Sequence, residues 1–201
     1  MGIQKNKELI LKSVLAGMLI ALCGLMNIII DNKYVAAFLF SFGLLTILIR
    51  QYNLYTGKVH LLLNKEIHFI EILMVLLGNF IGCLIIGILV RFCTNINSDL
   101  IWANKLNHSY VEIIFFSILC GILMYLAVSG WKNNKEILLV IMPIMIFILT
   151  GADHSIANIF YMSVASKINF NIIVYIVINI IGNAIGSLFF YKMELIKGGL
   201  I

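Results

Sequence analysis

Apolar residues run along this chain in long, nearly unbroken stretches, and polar residues fall in short pieces between them. Six stretches stand out: Leu9–Ile30, Val35–Leu63, Phe69–Phe92, Val111–Val128, Ile137–Ala165 and Ile172–Tyr191, separated by pieces such as "DNK", "NKE" and "WKNNKE". A bilayer core about 30 Å thick is crossed by roughly 20 apolar residues in helical form, so the pattern predicts six transmembrane helices. The runs lack the period-two alternation of a lipid-facing strand, which argues against a barrel. The expected fold class is all-α integral membrane. The longest connection, "TNINSDLIWANKLNHS", is too short and polar to bury a core of its own, so residues 1–201 are expected to form a single transmembrane domain.

The second and fifth runs are too long for one straight crossing, and each is interrupted by polar, glycine-containing sequence: "RQYNLYTGK" in the second and "TGADHS" in the fifth. Both are predicted to be broken helices. The third run contains "GNFIGCL" and the sixth "GNAIGSL", at an offset of 182 − 78 = 104, close to the 154 − 54 = 100 that lays "QYNLYTG" on "GADHSIA". Two related halves of three spans each must enter the membrane from opposite sides, which is an inverted three-plus-three repeat. Unwound backbone can face a lumen but not lipid, so Arg50–Lys58 and Thr150–Asn158 are the candidate site. Gly78, Gly82, Gly182 and Gly186 read as close-packing positions between helices, with Asn79 and Asn183 as interhelical hydrogen-bond partners.

Composition agrees with a membrane protein: 62% of residues are hydrophobic and 11% charged, with a mean hydropathy of +1.07. The net charge of +5 is scattered at span ends, without the basic stripe of a nucleic-acid binder. With the N-terminus inside, Lys5, Lys7, Lys12, Lys65, Lys132, Lys135, Lys192 and Lys197 lie on one side against Lys33, Arg91, Lys105 and Lys167 on the other. The positive-inside rule then puts both termini in the cytoplasm and the multi-pass chain in the cell (inner) membrane. The basic, then apolar start reads as a retained first helix rather than a signal peptide. Cys23, Cys83, Cys93 and Cys120 show no CxxC spacing, and His60, His68 and His108 no metal spacing, so no cofactor or metal is expected. Asp153, His154 and Ser155 share the letters of a hydrolase triad, but adjacent residues point apart and cannot form that relay. The chain is not expected to be an enzyme. A redox or scaffold membrane protein that transports nothing stands as the rival from a different class.

"GADHSIANIFYM" resembles the fifth-helix signature of the formate/nitrite transporter family, and "NLYTGKV", the two "GN" motifs and "ILCGILMYLAVSGW" resemble its loop and its third, sixth and fourth helices. The resemblance implies an aquaporin-like protomer, a homopentamer in the lipid bilayer, and one pore per protomer for small monovalent anions, with or without protons: formate or nitrite, or alternatively hydrosulfide or lactate. It makes His154 the pore-centre histidine, Thr56 the loop threonine facing it, and Lys105 the lysine of the outer vestibule; Asn158 joins them along the substrate pathway. Phe40 and Leu44, with Ala157, fall at the cytoplasmic constriction, and Leu54, Tyr55, Met124 and Phe147 near the periplasmic one. Gly121 stands where many members carry a pore-lining asparagine. Asn53 stands where an acid is common, and Asp153 replaces the commoner glutamate. Asp153 and Asn53 are expected to shape the loops, Asp153 by bonding loop backbone or capping the following helix.

Overall fold

The computed structural model describes residues 2–197, with side chains from residue 4 to residue 196. The elements in chain order are α1 (Gly2–Ile29), α2 (Lys33–Ile49), α3 (Tyr55–Lys58) running into a 3₁₀ turn (Val59–Leu62), α4 (Phe69–Cys93), α5 (Asp99–Lys105), α6 (Tyr110–Asn134), α7 (Leu138–Thr150), α8 (Ser155–Ser163) and α9 (Phe170–Lys197). The all-helical expectation holds. Helices α1, α4, α6 and α9 are each long and apolar enough to cross a membrane, and α7 with α8 makes a span bent by 56° at its break. Helix α2, apolar but only 17 residues long, is shorter than these spans and is followed by the short α3 and the 3₁₀ turn; by length alone the described helices give five spans where the sequence predicts six. Large apolar side chains such as Phe38, Leu77, Phe115 and Val177 face outward, as in a protein whose solvent is lipid.

Both breaks fall where the sequence put them, and both use the same local geometry. Just past α2 lies Gln51, whose φ of 55° is left-handed, and just past α7 lies Gly151, with φ 73°. Beyond each, the chain turns back through one matched hydrogen bond: Tyr52 N–H donates to Ile47 O, and Ala152 N–H to Phe147 O, both at 2.9 Å. Glycine adopts this conformation freely, whereas another residue is strained there by about 1 kcal/mol. Gln51→Gly is therefore expected to stabilise the protein by up to about 1 kcal/mol, read as a higher thermal midpoint in detergent.

The two halves repeat in space. Helix α1 crosses α4 as α6 crosses α9. At the first crossing a β-carbon on Gly17 would collide with the backbone O of Asn79; at the second, one on Gly121 would collide with the backbone O of Asn183. The "GN" glycines are packing positions as expected: Gly78 lies on Ser13 and Gly182 on Ser117, while Gly82 and Gly186 meet the carbonyls of Val14 and Ile118. The short helices reach across the halves, α8 lying against α1 and α4 and α3 against α6. Gly24 of α1 faces the Phe160 and Tyr161 rings, and Gly57 faces Val128.

The polar connection before α6 contains an element that the apolar pattern did not announce. Its helix α5 is seated by Trp102, 3% exposed, whose ring meets Tyr175 edge-on at 5.6 Å. Ser98 Oγ donates to Tyr161 O at 2.5 Å, and Asp99 accepts from Ser166 N–H at 2.8 Å. Hydrogen bonds from the Ser166 side chain and backbone hold the Asp99 carboxyl below the usual carboxylate range. Seated this way, α5 carries Lys105 to the second break.

Candidate functional site

Each broken loop hangs from one buried asparagine. Asn79 of α4 accepts from Tyr55 N–H at 2.8 Å and donates to Ser13 O at 2.7 Å and Asn53 O at 2.8 Å. Asn183 of α9 accepts from Ser155 N–H at 2.8 Å and donates to Ser117 O at 2.8 Å and Asp153 O at 2.7 Å. An unwound backbone in a dry interior needs every N–H and C=O paired, and one amide side chain per loop meets much of that need. Asn53 adds a bond from Nδ2 to Leu9 O at 3.2 Å.

The two loops present His154 and Thr56 to each other. Thr56 Oγ1 lies 3.0 Å from His154 Nε2, with Thr56 fully buried and His154 2% exposed. His154 is also the N-cap of α8: its Nδ1 accepts from Ala157 N–H at 3.2 Å. With Nδ1 used as an acceptor, the proton of the neutral ring sits on Nε2 and is donated to Thr56 Oγ1. The threonine hydroxyl keeps its own hydrogen for a third group. A second proton on the ring requires Nδ1 to release the cap. Phe147 stacks on the imidazole at 5.7 Å.

Asp153 is fully buried and is the centre of a separate polar cluster. Its Oδ1 pairs with Lys105 Nζ and accepts from Asn158 Nδ2 at 3.2 Å; its Oδ2 accepts from Tyr175 OH at 2.6 Å. Asn158 Nδ2 also donates to Asn179 Oδ1 at 2.9 Å, and Asn179 Nδ2 donates to Ser117 Oγ at 2.9 Å and to Asp153 O at 2.5 Å. The carboxylate shapes the loop through side chains, not through loop backbone or as a cap, the capping role having gone to His154. Tyr175, Asn179 and Ser117 were not anticipated; a polar Asn179 in an apolar run was the available signal.

A cavity of about 550 Å³ opens beside the first break, lined by Leu44, Leu54, Gly57, Lys58, His60 and Lys132 among others.

The sequence model described as formate/nitrite transporter matches residues 3–196. The chain belongs to the formate/nitrite transporter family. It is 24% identical over 212 residues to the formate-nitrite transporter of Plasmodium falciparum, covering 85% of this chain and 69% of that one. It is 28% identical over 149 residues to the formate channel FocA of Haemophilus influenzae, covering 64% of this chain and 52% of the relative. The matched region thus spans about half the length of that channel. A solved pentameric formate channel with formate bound shares the fold, with a TM-score of 0.85 at 21% identity over 100% of both chains. The formate/nitrite transporters are membrane transporters, not enzymes, and this multi-pass chain is one of that family.

Seven residues sit differently from what the resemblance implied. Phe40 and Phe147 were expected at opposite constrictions, yet their rings meet edge-on at 5.3 Å, while Leu44 and Leu54, also expected apart, line one cavity. The inverted repeat runs α2 and α7 past each other in opposite directions, so a residue well before one break lies level with the last turn before the other. Lys105 is not a free vestibule charge; its side chain is 16% exposed and ion-paired with Asp153. Asn158 spends its amide hydrogens on Asp153 and Asn179. Gly121 faces Asn183 at a helix crossing, not a lumen. Tyr55 anchors its hydroxyl on Ile180 O at 3.1 Å, and Met124, Leu54 and Ala157 are buried.

Proposed function

We propose that this chain is a channel for small monovalent weak-acid anions of the formate or nitrite type, with the His154–Thr56 pair as the polar station between apolar constrictions. The observation that carries the reading is the 3.0 Å contact between those two side chains, sealed from solvent where the two broken helices meet. Stripping water from an anion costs several kcal/mol unless charge or hydrogen bonds replace it, and a weak acid avoids much of that cost by crossing the apolar parts with a proton. The Thr56 hydroxyl, already receiving the Nε2 hydrogen, has its own hydrogen to give to the permeant. Phe40 with Phe147 form one constriction beside the station, and Leu44 with Leu54 the other. By the positive-inside count the cavity lined by Lys58, Lys132 and Lys135 opens to the cytoplasm, as do both termini, in the cell membrane. A homopentamer of single-domain protomers follows the relative whose structure shares the fold.

Flux of formate, nitrite, hydrosulfide and lactate into proteoliposomes at two pH values tests the proposal. His154→Asn, which keeps a capping side chain but removes the imidazole, is expected to reduce formate flux by about tenfold or more and to flatten its pH response. His154→Phe is expected to do the same with an added loss of stability from the missing cap. Unchanged rate, selectivity and pH response in both variants would remove His154 from the mechanism, and a purified protein that carries none of the four anions would favour the scaffold reading.

A further inference from the structure

The 550 Å³ cavity gathers Lys58, His60, Lys132 and Lys135 against a single carboxylate, Glu66. Two of the lysines are engaged: Lys132 lies 3.7 Å from Glu66, and Lys135 Nζ sits 5.3 Å above the Trp131 ring. Lys58, half-buried at the end of α3, has no carboxylate at ion-pair distance among the described residues.

His60 follows on the same segment and is 5% exposed. Its ring is held edge-on by Tyr125 at 5.0 Å and Tyr191 at 5.2 Å, and its Nδ1 is buried without a hydrogen-bond partner among the described residues. Neither phenol is hydrogen-bonded to it among the described residues. Tyr125 OH donates to Glu194 Oε2 at 2.5 Å, and Tyr191 OH accepts from Asn64 Nδ2 at 3.0 Å. The charged and titratable groups that face the imidazole are therefore Lys58 on its own segment, Glu66 after it, Tyr125 and Lys132 from α6, and Tyr191 and Glu194 from α9. A buried histidine that serves only packing is usually given a partner. This one instead lines a cationic cavity and shares a segment with Thr56.

We infer that Lys58 and His60 form a second anion-binding station in this cavity, holding a small carboxylate-sized anion between the ammonium and an imidazole N–H on its way to or from the His154–Thr56 pair. The inference rests on the transport reading and extends it to the approach on one face.

Formate is the probe, with the full chain in vesicles of defined orientation and calorimetric formate binding measured in detergent. Lys58→Met is expected to raise the half-saturating formate concentration about tenfold for formate presented to the Lys132 face, and His60→Leu about threefold, by loss of charge-assisted hydrogen bonds. Maximal flux and the opposite-face value should stay within about twofold of the parent, because neither residue belongs to the central pair. Lys58→Arg and His60→Asn, which keep the charge and an N–H donor, should restore most of the affinity. Parental half-saturation in both Lys58→Met and His60→Leu overturns the station. Should either variant fail to assemble, the unmodified protein decides: raising salt from about 50 to about 300 mM should weaken formate use from the Lys132 face more than from the other, and an equal response on both faces overturns the station. An unmodified protein that binds formate through Lys58 without conducting it would overturn the channel proposal alone.

Discussion

Asp153→Ala is expected to cost the protein about 3–5 kcal/mol, the range found when one partner of a buried ion pair is removed. The substitution strands Lys105, whose side chain is 16% exposed, and takes the acceptor away from Tyr175 OH and Asn158 Nδ2. Lys105→Met alone leaves the carboxylate buried with two neutral donors, and should cost somewhat less. The informative variant is the double change Lys105→Met with Asp153→Asn, which removes both charges while an amide oxygen still accepts from Tyr175 or Asn158. It should recover most of the lost stability, because a neutral, hydrogen-bonded cluster avoids the desolvation of both ions. Thermal unfolding of the detergent-purified protein measures all of these together with Asp153→Asn alone, and the signature is non-additivity: Asp153→Asn and Lys105→Met each costly, their combination less so. Costs that simply add would mean that Lys105 and Asp153 act separately, and would return Lys105 to the role of a free vestibule charge.

That pair also marks where sequence reading stopped. The spans were legible because a bilayer imposes length and continuity, and the repeat was legible because close helix crossings demand small residues at fixed spacing. "GNFIGCL" and "GNAIGSL" place Asn79 and Asn183 in matched networks, Tyr55 N–H corresponding to Ser155 N–H and Ser13 O to Ser117 O. His154 and Thr56 were legible as a pair through the motifs around them. What could not be read was which distant polar group answers Asp153, since Lys105 arrives on a short helix inside a polar connection. Nor could the wall that each apolar pore residue takes be read: Phe40, Leu44, Leu54 and Phe147 carry no periodic signal of facing direction, and only the antiparallel passage of α2 and α7 brings Phe40 to Phe147. Lys58 was legible only as one end of the first break, and the role proposed for it rests on the cavity it lines with His60.

Gly121 supplies the second large effect, because resemblance and geometry ask opposite things of it. The resemblance sets an asparagine at this position, so Gly121→Asn would be expected to restore polar lining beside His154. In the structure a β-carbon on Gly121 meets the backbone O, C and Cα of Asn183, and backbone cannot swing aside as a side chain does. Any residue larger than glycine must push α6 off α9, and with it the Asn183 amide that holds Asp153 O and Ser155 N–H. Overpacking typically costs about 1–3 kcal/mol; against backbone, with the loop bonds at stake, Gly121→Ala should reach about 3 kcal/mol and Gly121→Asn should exceed it, giving little assembled protein. Gly17, the repeat mate that meets Asn79 in the same way, should respond equally. Gly151→Ala is the control: nothing lies within 4 Å of its added carbon, so only the left-handed backbone is strained, at about 1 kcal/mol. The expected order of thermal midpoints is Gly151→Ala highest, then Gly17→Ala and Gly121→Ala together, then Gly121→Asn. A Gly121→Asn protein as stable as the parent, with altered anion selectivity, would put that position on the pore after all and would mean that α6 and α9 cross elsewhere.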